Sequence, residues 1–156
     1  MPATLRDDLR QKKPFSSLHE EAMLNVVRTS ATLGDAVEDL LKPHGISGTQ
    51  YNVLRILRGA EPTGLCRNEL RDRMVTRMPD MTRLLDRMEE AGLVQRTRDS
   101  EDRRLVLTRI TKQGRKLVDA LDAPILALHQ STLGHLTQAQ LRALVDLLTL
   151  ARARPS

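Results

Sequence analysis

The 156-residue chain carries 25 Lys and Arg against 20 Asp and Glu, a formal charge of +5, and 40% of its residues are hydrophobic. This balance suits one folded domain with a real core and excludes a disordered chain. Charged residues interrupt every apolar run before it reaches a membrane span, and Met1 to Lys13 lack the apolar stretch of a signal peptide, so a cytoplasmic protein with no membrane partner is expected. The single cysteine, Cys66, excludes an internal disulfide and a multi-cysteine zinc site. With one Phe, one Tyr and no Trp, the chain lacks the aromatic platforms on which single-stranded nucleic acids stack.

In chain order, residues 1–16 form an arm, read either as an extra helix or as a disordered basic segment. Ser17-Leu18-His19-Glu20 is a capping box, and the apolar spacing that follows predicts a long helix to Lys42, stopped by Pro43-His44-Gly45. Ser47-Gly48-Thr49-Gln50 opens a helix that Gly59 ends, and Glu61-Pro62-Thr63-Gly64 is a turn. A short helix from Arg67 to Met74 is followed by a second, with Pro79 at its first position, Asp80 at the positive end of its dipole, and a stop at Ala91-Gly92. Two short helices joined in this way make a helix-turn-helix.

Leu93 to Arg98 and Arg104 to Ile110 read as two strands around the polar turn Asp99-Ser100-Glu101-Asp102-Arg103. Thr111 caps a helix to about Leu133, with a kink expected at Pro124 and a stop at Gly134, and Thr137-Gln138-Ala139-Gln140 opens a last helix rich in leucine. The expected fold is mainly α with a β-hairpin wing, a lobe over about 47–111 and helical segments over about 17–42 and 112–153, all within a single domain of 17–153.

Positive charge is localised. Between Val94 and Lys116 eight Lys and Arg face three acids, an excess equal to that of the whole chain. A basic stripe beside a helix-turn-helix is what counterion release from duplex DNA requires.

Three strings resemble the MarR family of regulators: Gln50-Tyr51-Asn52-Val53-Leu54-Arg55-Ile56-Leu57, the run from Val75 to Val94, and Asp99-Ser100-Glu101-Asp102-Arg103-Arg104 with the Leu107-Thr108 and Ile110-Thr111-Lys112-Gln113-Gly114 that follow. The last is the most specific, and the resemblance covers about Ser17 to Ala153. It implies a winged helix-turn-helix that binds double-stranded DNA as a homodimer held by its terminal helices. It also implies release of DNA when a small, often phenolic, molecule binds.

The residues themselves place Arg77, Asp80, Thr82, Arg83 and Arg87 on the outward face or N-terminal side of the recognition helix, where Arg suits guanine and Thr a thymine methyl or a phosphate. Arg103 and Arg104 at the wing tip suit a narrow minor groove. Arg96, Arg98, Lys112, Arg115 and Lys116 are read as phosphate neighbours or plain surface rather than base readers. Asp102 is expected to stabilise the wing by pairing with an arginine and fixing the turn. Met23, Val27 and Tyr51 are candidates for an effector pocket, although each taken singly is read rather as core.

Cys66 precedes a helix, where a dipole favours thiolate, but a lone small cysteine is read as packing. The four histidines lack metal-ligand spacing, so neither metal nor cofactor is expected. No phosphate loop, nucleophile elbow or zinc-protease helix appears, which argues against an enzyme. The competing reading is a winged helix that docks an acidic protein partner.

Overall fold

The computed structural model describes residues 3–153. The chain divides between Gly48 and Thr49 into two compact units. In the first, α1 (Leu5–Asp8) is a single turn capped by Thr4, whose side chain and that of Asp7 form a capping box. Arg6 closes this segment by donating to the carbonyls of Gln11 and Lys12 at 3.2 and 2.8 Å. Within the arm, Leu5 is buried.

Helix α2 (Leu18–Leu41) starts where the Ser17 hydroxyl accepts the Glu20 N–H, and a 3-10 turn, Lys42–His44, ends it at Gly45 in the left-handed region. Leu41 is fully buried, yet Leu18, Met23, Val26 and Val27 stand exposed along the helix. Glu38 accepts the Gly48 N–H at 2.8 Å. There α3 (Gly48–Gly59) begins.

The second unit holds the rest of α3, β1 (Leu65–Cys66), α4 (Arg67–Arg73), α5 (Met81–Glu90), β2 (Val94–Arg98), β3 (Val106–Ile110), α6 (Lys112–Leu133) and α7 (Gln138–Arg152). Its core joins Val53, Leu54 and Leu57 of α3, Leu70 of α4, four residues of α5, Leu107 and Ile110 of β3, and Val118, Leu121 and Ile125 of α6. Fully burying a side chain of this size contributes about 1.5–3 kcal/mol.

Three strands form the sheet, in the order β1-β3-β2, all antiparallel. The expected hairpin is therefore joined by a third strand, with Leu65 opposite Thr108 and Cys66 opposite Leu107. Two residues are too few to show a period-2 pattern, which is why the sequence reads only as a turn running into a helix. The expected strands shorten as well, since Leu93 belongs to the stop of α5 and Arg104 and Leu105 to the wing tip.

The expected start of α5 also moves. Asp80 is the N-cap, its carboxylate accepting the Arg83 N–H at 3.0 Å, so Pro79 lies outside the helix rather than at its first position. At the other end Gly92, with φ of 75°, completes a Schellman stop: its N–H donates to Glu89 and that of Leu93 to Met88, each at 2.9 Å.

The same corner receives α6. The Thr111 hydroxyl accepts the Gly114 N–H and donates to the Gly92 carbonyl at 2.6 Å. A Cβ on Gly114 would run into the Leu93 carbonyl oxygen. Further along, Arg58 of α3 donates to Asp119 and to both oxygens of Asp122 on α6. Those hydrogen bonds hold both carboxylates below their ordinary range. Pro124 sits within α6 without interrupting it. No helix among the described residues is long and apolar enough to cross a membrane.

Two predictions follow from these contacts. Replacing Gly114 by Ala should cost about 1–3 kcal/mol, because backbone stands where the methyl would go; an unchanged urea midpoint would refute the close packing. Because Asp119 and Asp122 titrate lower when folded than unfolded, their support is complete above about pH 4 and is lost as the pH falls through their lowered values. Arg58→Gln should therefore lower the urea midpoint at pH 7, and its gap from wild type should narrow below pH 4; a gap independent of pH would show that the pairs contribute nothing.

Candidate nucleic-acid interface

Helix α5 is oriented by its apolar stripe. Met81, Leu84, Leu85 and Met88 are buried at helical spacing, which turns Thr82, Arg83 and Arg87 to solvent. Arg77 precedes the helix and is also exposed. Asp80, expected among the residues facing a ligand, commits one carboxylate oxygen to capping α5. The turn that brings α4 to α5 is pinned where the Asn52 side chain accepts the Val75 N–H at 2.9 Å.

Thr82 has a partner that the sequence did not suggest. Arg67, the first residue of α4, donates to its hydroxyl at 3.0 Å. Arg67 and Thr82, together with Cys66, Arg96, Arg104 and Leu105, border a cleft of about 350 Å³ between the helix-turn-helix and the wing. Cys66 is the N-cap of α4, and its N–H donates to Glu69, whose carboxyl is thereby held below its ordinary range.

The wing tip spans residues 99–105 and is closed by its own backbone. Asp99 N–H donates to the Leu105 carbonyl, and Leu105 N–H to the Asp102 carbonyl, each at 2.9 Å. The Asp102 carboxylate accepts the Arg104 N–H at 3.0 Å. The expected ion pair between Asp102 and a guanidinium is replaced by this short-range bond, which fixes the turn from within and leaves the side chains of Arg103 and Arg104 exposed.

The two flanking arginines differ in their contacts: Arg96 is taken up by acids of α5, whereas exposed Arg98 meets a backbone carbonyl. Arg98 donates to the Arg103 carbonyl at 2.8 Å and so braces the tip. Arg96 is bound to Asp86 and Glu89 of α5 at 2.6 and 2.7 Å, with its side chain only 24% exposed. Hydrogen bonding raises the Arg96 pKa and lowers that of Glu89. Arg115 is paired with Glu61 and Asp119. The basic stripe counted from the sequence therefore contains two cations already neutralised within the fold. Asp86 and Glu89 were missed as partners; acids three apart on the recognition helix, followed by an arginine in the next strand, were the available signal.

The effector candidates do not share one environment. Met23 and Val27 are exposed on α2, at 65% and 58%, whereas Tyr51 on α3 is buried, and burial pushes its phenol pKa up.

Comparison with known proteins agrees with this architecture. The family model described as MarR family matches residues 46–106, from the start of the helix-turn-helix region into the wing. A MarR transcription factor from Planctomyces limnophilus is 39% identical over 88% of this chain and 99% of its own, with a TM-score of 0.66. The HTH-type transcriptional regulator FarR of Neisseria gonorrhoeae is 29% identical over 69% of this chain and 73% of its own length. In fold, the chain is similar to MepR of S. aureus in its DNA complex, with a TM-score of 0.75 at 22% identity over 83% of this chain and 94% of that one. The exposed arginines of α5 and the wing thus belong to a winged helix-turn-helix DNA-binding transcriptional regulator, and the chain is a member of the MarR family.

Proposed function

We propose that the protein is a ligand-responsive repressor that binds a palindromic operator as a homodimer. The observation that carries this reading is the pairing of two exposed cationic elements on one unit: Arg83 and Arg87 on α5, and Arg103 and Arg104 at the wing tip. In this reading α5 enters the major groove, where Arg83 and Arg87 read base edges and Thr82 meets a thymine methyl or a phosphate once Arg67 releases it. Arg77 and Arg98 lie toward the phosphate backbone, Asp80 shapes the helix start, and the wing arginines enter the adjacent minor groove. Occupying the operator is sufficient to repress, because a bound dimer excludes polymerase.

Unpaired apolar surface supports the homodimer. On α7, Val145, Leu147 and Leu150 are 63–69% exposed, and α2 carries its own exposed row. A second copy that covered such rows would remove them from water. Two recognition helices related by a two-fold axis would then meet successive major grooves about 34–36 Å apart. A small phenolic effector would favour a dimer geometry that no longer matches that spacing.

Two experiments test this reading. Fluorescence binding to the DNA flanking the gene, with scrambled competitor and a salt titration, should show sequence-selective binding that weakens steeply with salt. Arg103→Ala with Arg104→Ala should weaken it and reduce the salt slope by about one for each lost phosphate neutralisation; an unchanged affinity and slope would remove the wing from the interface. Val145→Glu with Leu150→Glu should give a folded monomer with weak operator binding by sedimentation and titration, and a variant that stays dimeric would place the interface elsewhere.

A further inference from the structure

We propose that Arg96 is a positioning residue for DNA recognition, which fixes the offset between recognition helix and wing by bridging Asp86 and Glu89. This rests on the DNA-binding reading of the lobe and assigns Arg96 a task other than touching DNA. Four hydrogen bonds converge on the bridge. Glu89 Oε1 accepts the Arg96 backbone N–H at 2.8 Å, and Oε2 accepts Nε and Nη2 at 3.1 and 2.7 Å. Asp86 Oδ1 accepts Nη2 at 2.6 Å. Main chain and side chain of β2 are thus tied to two successive positions on one face of α5.

The tie continues outward. Two residues beyond Arg96, Arg98 holds the Arg103 carbonyl, so a bonded path runs from α5 through β2 to the tip. Arg96 lies opposite Thr108 of β3, which is almost wholly buried, and this anchors the path in the sheet. A hairpin joined to a helix only through the backbone stop at Gly92 would swing about that corner. With the bridge in place, the distance between a base-reading Arg83 and a groove-inserting Arg103 is set before DNA arrives, so less ordering has to be done on binding.

The bridge also neutralises charge. Asp86 and Glu89 are three residues apart and partly exposed on a helix that faces phosphates, an arrangement that repels both itself and DNA unless a cation intervenes. Charge neutralisation and positioning make opposite predictions for one variant. Glu89→Gln removes a negative charge from the DNA side, so electrostatics alone would tighten binding. The same change leaves one acceptor oxygen where there were two and sets an amide NH2 against the Arg96 N–H groups, so loss of positioning would weaken it.

The test compares wild type, Glu89→Gln and Asp86→Asn on the operator found by the binding assay, each alone and combined with Arg103→Ala/Arg104→Ala, with thermal melting to confirm the fold. Glu89→Gln is expected to weaken operator binding about tenfold despite its added positive charge. Hydroxyl-radical footprints should lose minor-groove protection at the flanks while guanine N7 protection in the major groove persists. Without the wing arginines the additional loss should shrink below about twofold, since no wing contact remains to be misplaced. Asp86→Asn, which weakens one bond of the four, should show the same pattern at smaller amplitude and carries the test if Glu89→Gln melts. Affinity equal to or tighter than wild type, or an equal loss in both backgrounds, overturns the proposal. Wild-type protein that does not prefer its operator to scrambled DNA would instead remove the DNA-binding reading beneath it.

Discussion

Burial of Met81, Leu84, Leu85 and Met88 is the constraint from which the interface derives. A helix of ten residues has little intrinsic stability in water, so its orientation comes from the core it covers. Once those four side chains are packed, Thr82, Arg83 and Arg87 have no direction left but outward. The Asp80 cap and the Gly92 stop fix where the helix begins and ends. Side chains that never touch DNA therefore decide which ones can.

Legibility followed the strength of the local signal. Capping residues Ser17, Thr111 and Thr137 were plain because the hydroxyl, the free N–H groups and the apolar spacing coincide within a few residues. Pro79 misled, since a proline at a helix start fits both the first helical turn and the residue before the cap; only the Asp80 carboxylate, bound to Arg83, separates the two. Strand β1 was invisible because its pairing with β3 is a long-range fact about Leu65 and Cys66, and two residues carry no periodicity.

The candidate site was legible as a region more than as a set of roles. Arg83, Arg87, Arg103 and Arg104 could be named from pattern, since exposure follows from helix face and turn position. Arg96 and Arg98 could not be sorted from them, because a one-dimensional count treats every arginine as equally available. Whether a guanidinium faces a phosphate, a carboxylate or a carbonyl depends on neighbours that folding brings together. The same holds for Asp102, where a backbone N–H two residues on outcompetes a distant arginine.

The corner where Thr111 and Gly114 meet Gly92 and Leu93 has a mechanical meaning. Helix α6 has 22 residues, about 33 Å along its axis, and its N-terminus meets the stop that follows α5 through a hydrogen bond and through backbone contact that leaves no room for even a methyl group. Such a joint resists sliding, because a shift along the contact would press Gly114 onto the Leu93 carbonyl. Were α6 to move as one rod, a displacement of about 3 Å at its far end would reach the joint as a tilt of about 5°. In that case the longest helix of the second unit would act on α5 as a lever.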